Sequence, residues 1–228
     1  MINGEKVLAI IPARGGSVSL PRKNILPLGG LPLIVHTIRQ VKLSKYVDKF
    51  ICSTDDKEIK KIAEDNGCQV PFLRPKYLSK NTTTSQEVLF NICKKITNYD
   101  YVVLLQPTSP LRMTKDIDKT IELCDQYNAS SSVTVSQANK NPQWMYYLNK
   151  KNLLKPVLSQ KNIKTRRQDL PDTYILNGAV YVLKYNNIIA DKPFISDDTV
   201  VNIMPIERSI DIDTALDLKI ANIIYKDN

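Results

Sequence analysis

The sequence has few of the residues that build metal clusters and disulfide frameworks. It contains one histidine, His36, and four cysteines that form no C-x-x-C pair: Cys52, Cys68, Cys93 and Cys124. A zinc knuckle therefore lacks ligands, and a disulfide scaffold lacks suitable spacing, so we expect reduced, mostly buried thiols. Histidine-dependent nucleophilic catalysis would have to use His36. We expect that side chain to be a packed or half-exposed histidine rather than a base.

Long hydrophobic runs are also missing. No apolar run approaches the roughly 18–20 residues that a membrane span needs, and residues 1–6 lack the apolar core of a secretory signal. We therefore expect a cytoplasmic protein that does not bind membranes. The 228 residues, 43% of them hydrophobic, are enough for a single domain over residues 1–228 with a substantial core.

The charge is unbalanced, with 32 Lys plus Arg against 23 Asp plus Glu and a formal net charge of +9. This excess favours a polyanionic partner, which is either nucleic acid or a small phosphorylated or carboxylated substrate. No recognised nucleic-acid motif is present, and few aromatic residues lie beside the basic runs. The charge alone does not decide between these classes.

Strand-like and helix-like segments alternate along the chain. Strands are predicted at residues 6–11, 49–52, 69–72, 101–105 and 131–135. Helices are predicted at residues 31–43, about 54–66, 84–96 and 114–127. Two more strands, at 179–183 and 199–204, and a helix at 214–225 close the chain. This order predicts an α/β fold with a doubly wound, mostly parallel sheet.

Residues 137–173 interrupt this alternation. The segment is rich in Asn, Lys and Gln, holds the only tryptophan, Trp144, and has short apolar pieces at 144–148 and 153–158. We interpret it as an inserted β-hairpin arm. Because Trp144 lacks an obvious core to pack against within one α/β domain, we expect it to be buried on a second subunit, which makes the protein a dimer.

Glycines are concentrated near the start of the chain, where Gly15 and Gly16 directly follow the first predicted strand. Free backbone N–H groups at such a strand-to-helix crevice bind phosphates in open α/β sheets. Three cations, Arg14, Arg22 and Lys23, surround the pair. The loop matches neither the dinucleotide-binding nor the P-loop pattern. The alternative is a tight turn with solvated cations.

Two carboxylates, Asp211 and Asp213, alternate with isoleucines near the other end of the chain. In an extended backbone both carboxylates point to one side, where they suit Mg²⁺, which shares its coordination with waters and substrate phosphates. Asp213 also stands where the N-cap of the last helix is expected, and both roles can coexist.

A rigid loop follows the most apolar strand, in the sequence LLQPTSPLR at residues 104–112. Its Gln106 is predicted to lie at the carboxyl edge of the sheet, where open α/β sheets bind ligands. A side-chain amide there can bind a hydroxyl or a carboxylate. A purely structural turn is the alternative.

Seven segments together resemble the CMP-sialic acid synthetase, or acylneuraminate cytidylyltransferase, family of Rossmann-like nucleotidyltransferases, in order over nearly the whole chain. They are IPARGGSVSLPRKN (11–24), STDD (53–56), FLRP (72–75), LLQPTSPLR (104–112), RRQDLP (166–171), NGAVYV (177–182) and SIDIDTALDLKIA (209–221). Looser relatives are the cytidylyltransferases for 3-deoxy-manno-octulosonic, legionaminic and pseudaminic acids.

The resemblance implies a Mg²⁺-dependent reaction of CTP with a nine-carbon 2-keto sugar acid, whose anomeric hydroxyl attacks the α-phosphorus and releases pyrophosphate. It implies catalytic roles for Arg14, Lys23, Asp211 and Asp213, the last two as metal ligands. The implied nucleotide-binding residues are Ala13, Arg14, Gly15, Gly16, Ser17, Arg22, Lys23, Asn24, Arg74 and Ser85. The implied sugar-binding residues are Gln106, Arg167, Asn177, Tyr181 and Phe194.

The resemblance also implies that the arm at residues 137–173 is a dimerisation arm that brings Arg167 to the sugar site of the neighbouring subunit. One departure concerns the phosphates: Val18 stands where the family commonly has lysine. Arg22 is a candidate to compensate. The alternatives are a homologue that binds nucleotide sugars with little or no catalysis, and a nucleic-acid-binding α/β protein, although we expect no nucleic-acid partner.

Overall fold

Strands and helices alternate along the computed structural model, which describes residues 1–158 and 166–226, with the side chain of Arg167 left out. The strands are β1 (Val7–Pro12), β2 (Pro27–Leu28), β3 (Leu31–Pro32), β4 (Lys49–Ser53), β5 (Tyr101–Leu104), β6 (Ser131–Gln137), β7 (Tyr146–Leu148), β8 (Leu154–Pro156), β9 (Tyr174–Lys184) and β10 (Val200–Ile203). The helices are α1 (Leu33–Lys42), α2 (Lys57–Asp65), α3 (Ser85–Cys93), α4 (Thr114–Gln126), α5 (Tyr185–Ile189) and α6 (Ala215–Lys226).

A six-stranded sheet in the order β10-β6-β9-β5-β1-β4 forms the centre of the fold. Neighbouring strands pair in parallel except at β9, which is antiparallel to both β5 and β6. The mostly parallel sheet is therefore confirmed. The strand predicted at residues 179–183 is longer than expected and runs against the others, so its first residues lie at the carboxyl edge of the parallel strands.

Both faces of the sheet are covered by helices, as a doubly wound sheet requires. Along β1, Val7, Ala9 and Ile11 pack in a cluster with α1, α2 and α4. The intervening Leu8 and Ile10 pack on the opposite face with α3 and α5. Burial on both faces explains why β1 is a continuous apolar run rather than an alternating one.

Two predicted elements differ from the structure. Residues 69–72 are not a strand, because a single bridge joins Gln69 to Ile51 and the segment then leaves the sheet. Pro71 removes the backbone donor that a further ladder hydrogen bond would need. The helix predicted at residues 84–96 ends earlier, at Cys93.

The segment between β6 and β9 contains an antiparallel hairpin, formed by β7 and β8. Trp144 is half-buried at the base of this hairpin, where it lines a small cavity with Pro171 and Thr173. Trp144 is therefore partly covered within its own chain, and the dimer expected from it stays a prediction. The exposed apolar side chains belong to the hairpin instead: Tyr147, Leu148, Leu153 and Leu154.

The four cysteines are buried and free, as expected. Burial raises the pKa of their thiols, so they carry no thiolate at neutral pH. In the described part of the chain, no helix is long and apolar enough to cross a membrane.

A buried arginine joins three parts of the fold. Arg112 is 1% exposed, and its Nη1 donates to the carbonyl oxygens of Gln106 (3.2 Å) and Ala179 (2.6 Å). Its Nη2 donates to Oγ1 of Thr37 in α1, at 2.7 Å. Burial lowers the pKa of Arg112 to about 9, so the guanidinium stays charged at neutral pH. One side chain thus fixes the loop after β5 against β9 and α1.

Replacing Arg112 should therefore destabilise the fold. Arg112→Met keeps much of the volume but leaves two buried carbonyls and a hydroxyl without their donor, so we expect the free energy of unfolding to fall by about 2–4 kcal/mol. Urea denaturation measures the change. The control is Arg39→Met at an exposed position of α1, which should stay within about 0.5 kcal/mol of the wild type. A loss below about 1 kcal/mol for Arg112→Met would contradict this role.

Candidate active site

A cavity of about 610 Å³ opens at the carboxyl edge of the parallel strands. Its walls come from the loops after β1 and β5, from the start of α3 and from the segment before α6. The residues that line it are Pro12, Arg14, Ser17, Val18, Ser19, Lys23, Asn24, Arg74, Asn81, Thr83, Thr84, Ser85, Val88, Leu104, Gln106, Pro107, Thr108, Asp211 and Asp213. This size and position are typical of a small-molecule site in an open α/β sheet.

The glycine loop after β1 is held against the start of α2. The backbone N–H of Gly15 donates to Oδ1 of Asp55 at 3.0 Å. A Cβ atom at Gly15 would lie 2.7 Å from Oδ2 of Asp56, and Asp56 caps α2 by accepting from the N–H groups of Glu58 and Ile59. Gly15 is therefore required by close packing. A Cβ at Gly16 would meet nothing within 4 Å.

Three cations line the cavity. Arg14 donates from Nη1 to the carbonyl of Lys80 at 2.9 Å. Arg74, 8% exposed, donates to Oγ and to the backbone oxygen of Ser53, and burial lowers its pKa. Lys23 pairs with the carboxylate of Asp213, which lines the same cavity. Because these charges are partly shielded from water, the cavity suits a polyanion.

Arg22, in contrast, does not line the cavity. Its backbone is left-handed, with φ of 58°, and its guanidinium binds Oδ2 of Asp56 at 2.6 Å and the carboxylate of Glu58. In this structure Arg22 is paired at the N-terminus of α2, and its compensation for the lysine absent at Val18 stays a prediction. Val18 itself is 73% exposed at the cavity wall.

Asn24 and Ser85 bring backbone groups toward the cavity. Asn24 is buried and donates from Nδ2 to the carbonyl of Arg14 at 2.9 Å, which orients the glycine loop. Ser85 is the first residue of α3, whose start is closed by a capping box between Thr84 and Glu87. The positive end of a helix at the wall favours negative charge. Ala13 is fully buried, and its backbone bonds to Ser53.

The two predicted carboxylates face this cavity, while Ile212 between them is fully buried in the opposite direction. Oδ1 of Asp211 is buried and accepts no hydrogen bond within the described residues. Burial raises the pKa of Asp211, because desolvation penalises its charged form. Asp213 accepts from Nζ of Lys23 at 2.6 Å.

The alternative role of Asp213 as a helix cap is wrong. The hydroxyl of Thr214 accepts from the N–H of Asp217, and the Asp217 carboxylate accepts from the N–H groups of Asp213 and Thr214. This reciprocal pair closes the start of α6. The side chain of Asp213 is therefore available to the cavity.

The carboxylates fit a hard divalent cation. An unpaired, buried oxygen on Asp211 and an adjacent carboxylate on Asp213 are the donors that Mg²⁺ prefers, together with waters and substrate phosphates. Among the described residues, no group of three or more His, Cys, Asp or Glu side chains is placed to hold a metal. A cation at Asp211 and Asp213 would therefore share its coordination with a bound substrate.

The predicted sugar-binding residues are dispersed. Gln106 lines the cavity, and its Oε1 would lie 3.0 Å from a Cβ added to Gly178, so glycine leaves this amide its space. Asn177 is buried in a bulge of β9, where its side chain bonds Oγ1 of Thr134 and Oγ of Ser209. It shapes the edge of the sheet and does not line the cavity.

Tyr181 and Phe194 form a ring pair with centroids 6.1 Å apart. They pack against the cluster on the α3 and α5 face, outside the cavity lining. The side chain of Arg167 lies outside the described residues, so its predicted role stays a prediction.

Several contributors were missed by sequence reasoning. Thr84 lines the cavity. The sequence pattern Thr84-x-x-Glu87 is typical of a capping box and could have predicted that Thr84 stands at the start of α3. Thr108 accepts from the N–H of Ile212 at 2.8 Å through its carbonyl, which holds the carboxylate segment in place. A backbone contact between residues 104 positions apart leaves no local sequence signal.

Comparison with known proteins gives consistent matches. The model of a family described as cytidylyltransferase matches residues 8–182. The CMP-N,N'-diacetyllegionaminic acid synthase of Legionella pneumophila is 37% identical over 218 residues, covering 93% of each chain. The pseudaminic acid cytidylyltransferase of Campylobacter jejuni is 35% identical over 228 residues, covering 98% of this chain and 97% of that protein. N-acylneuraminate cytidylyltransferases also match.

Among solved structures, a CMP:2-keto-3-deoxy-manno-octonic acid synthetase complexed with CTP aligns with a TM-score of 0.72 at 16% identity. The alignment covers 97% of this chain and 99% of that one. At this identity the likeness concerns the fold, and it supports the Rossmann-like architecture.

The two adjacent glycines provide a matched test of the loop geometry. In Gly15→Ala, the new methyl group meets the carboxylate of Asp56, so we expect a loss of about 1–3 kcal/mol in the free energy of unfolding. Gly16→Ala adds the same methyl group toward open space and should unfold like the wild type. Thermal and urea unfolding measure both. Equal stability of the two variants would contradict the packing role of Gly15.

Proposed function

Because the chain belongs to the cytidylyltransferase family, we propose that it transfers CMP from CTP to a nine-carbon 2-keto sugar acid and releases pyrophosphate. One observation carries this proposal. A single cavity at the carboxyl edge of the sheet is lined by Ser17, Val18 and Ser19 of the loop after β1, by three cations and by a pair of carboxylates. That combination suits a triphosphate with a divalent cation, and the relatives named above act on acids of this kind.

The proposed chemistry requires positioning and charge, and no covalent intermediate on the protein. The anomeric hydroxyl of the acid attacks the α-phosphorus and releases its proton to water, an O–P bond forms, and the bond from that phosphorus to the leaving pyrophosphate breaks. We propose that Arg14 and Lys23, which line the cavity, bind the phosphate oxygens and offset the charge that grows on the leaving group. Arg74, Asn24 and Ser85 line the rest of the wall that we assign to the nucleotide.

We propose that Mg²⁺ binds at Asp211 and Asp213. When bound, the ion would neutralise part of the triphosphate charge. The residues of the chain prepare this step electrostatically, since the unpaired oxygen of Asp211 is costly to keep charged without a cation. Lys23 and the cation would compete for Asp213, so cation binding would free Lys23 for the phosphates.

The identity of the acid is best tested directly. We expect formation of a CMP-sugar when CTP and Mg²⁺ are supplied with a panel of neuraminic, legionaminic, pseudaminic and 3-deoxy-manno-octulosonic acids and products are detected by mass spectrometry. We propose a legionaminic or neuraminic type acid as the preferred substrate and the other two as the alternative. Absence of a CMP-sugar with every acid would support a homologue that only binds nucleotide sugars.

We also propose a homodimer formed through the hairpin of β7 and β8, with Arg167 reaching the neighbouring sugar site. The exposed apolar side chains of the hairpin, such as Leu148 and Leu154 at 64% and 65% exposure, support burial against a second copy. A cytoplasmic location fits the use of CTP. Sedimentation at micromolar concentration tests the dimer, and a fully active monomer would contradict it.

Asp211→Asn tests the metal site with a nearly isosteric change. It removes the charge of a buried carboxylate, so we expect turnover to fall roughly 100-fold or more and Mg²⁺ affinity in calorimetry to weaken. Stability should be unchanged or higher, because the desolvation cost disappears. Asp197→Asn, at an exposed position, is the control and should behave like the wild type. Unchanged Mg²⁺ dependence in Asp211→Asn would place the metal elsewhere.

Val18→Lys tests the missing cation. Val18 is exposed at the cavity wall, so a lysine there can reach phosphate oxygens, and we expect kcat/KM for CTP to rise about tenfold, or roughly 1.4 kcal/mol. Val18→Met supplies similar length without charge and should give no gain. An equal or lower kcat/KM in Val18→Lys would show that Arg14, Lys23 and Arg74 already provide sufficient charge.

A further inference from the structure

A second cavity, of about 690 Å³, lies on the α1 and α4 side of the sheet and shares no lining residue with the candidate active site. The side chains around it come from α1, from the loop before α4, from the turn at residues 206–208 and from the end of α6. Its volume is in the range of metabolite-binding cavities. None of the roles assigned above uses it as a site.

The charged groups of this second cavity are mainly positive. Four cations line it, Arg39, Arg112, Lys115 and Arg208, against one carboxylate, Glu207. Arg208 is already neutralised, because Nε and Nη2 bind both oxygens of the buried Asp116, at 3.1 and 2.7 Å. The remaining excess comes from Arg39 and Lys115, which are exposed, and from the buried Arg112.

Arg112 distinguishes this cavity from a patch of surface cations. Its side chain is 1% exposed, and its Nε is buried and makes no hydrogen bond within the described residues. The two Nη atoms are bonded to the protein. A buried guanidinium with an unpaired N–H thus contributes a fixed positive charge to the wall, in a place where water screens it weakly.

The rest of the wall is apolar and aromatic. It contains Leu111, Met113, Ile224 and Tyr225, and Tyr225 is held edge-on against His36, with ring centroids 5.2 Å apart. Burial lowers the pKa of His36, so this ring adds no charge at neutral pH. A wall that contains both cations and apolar or aromatic side chains is complementary to an anion attached to a ring or another apolar body.

We propose that this second cavity binds a small phosphate-bearing molecule, with the phosphate oxygens at Arg39 and Lys115 above the charge of Arg112, and the body of the molecule against Met113 and Tyr225. The candidate ligands all carry a phosphate group. They are inorganic phosphate, pyrophosphate or a nucleotide-like phosphate ester. The apolar wall favours the ester. This proposal does not depend on the activity at the first cavity.

The four methionines of the chain provide a specific probe, because only Met113 lines this cavity. We suggest labelling the methionine methyl groups of the full-length protein with ¹³C and titrating it with inorganic phosphate, pyrophosphate and CMP in NMR. We expect a saturable shift of the Met113 resonance, reached at a lower concentration of CMP than of inorganic phosphate. In Arg39→Gln/Lys115→Gln the dissociation constant should rise at least tenfold.

The matched control removes two exposed cations elsewhere, in Lys6→Gln/Lys57→Gln, which changes the net charge equally. It should bind like the wild type. Equal weakening in both double variants would overturn the proposal in favour of general attraction to a basic protein. A Met113 resonance that does not respond to any of the three anions would overturn it as well. A response to pyrophosphate alone would exclude the ester as the occupant.

Discussion

The hydrogen bonds of the buried guanidinium of Arg112 hold together three parts of the chain, the loop after β5, strand β9 and helix α1. They fix the carbonyl of Gln106 after β5, the carbonyl of Ala179 in β9 and the hydroxyl of Thr37 in α1. A charged group is retained in a low-dielectric interior only where such partners are supplied. The antiparallel β9 is thereby locked beside β5, and its bulge leaves room for the side chain of Gln106.

Ion pairs also determine which charged side chains line the candidate active site. Asp56 caps α2 and also holds Arg22, so that this arginine stays outside the cavity while the glycine loop packs against the same carboxylate. Lys23 lines the cavity and forms an ion pair with Asp213. Asp211 is left with an unpaired oxygen. The site is thus prepared for a cation and a polyanion together, because each would satisfy charges that the protein leaves unmatched.

Local sequence patterns predicted much of this arrangement. The apolar run of β1 and the alternation around Ile212 are short-range features, and the structure has both. The glycines do follow β1, but Gly15 and Gly16 do not line the cavity, and the N–H of Gly15 is bound to Asp55. Three other features differ from the prediction. Residues 69–72 leave the sheet because Pro71 has no backbone donor, and Thr214 with Asp217, rather than Asp213, caps α6. Arg22 pairs with Asp56 and Glu58, which lie more than 30 positions away in the sequence, so no local pattern predicts this contact.

We propose that the candidate active site directs attack on the α-phosphorus of CTP. Parallel reactions with CTP labelled by ³²P at the α or at the γ position, each with the nine-carbon acids and Mg²⁺, measure where the attack occurs. We expect the α label in the CMP-sugar and the γ label in pyrophosphate, in equal amounts. Release of the γ label as inorganic phosphate, or its transfer to the acid, would show that the α-phosphorus is not attacked.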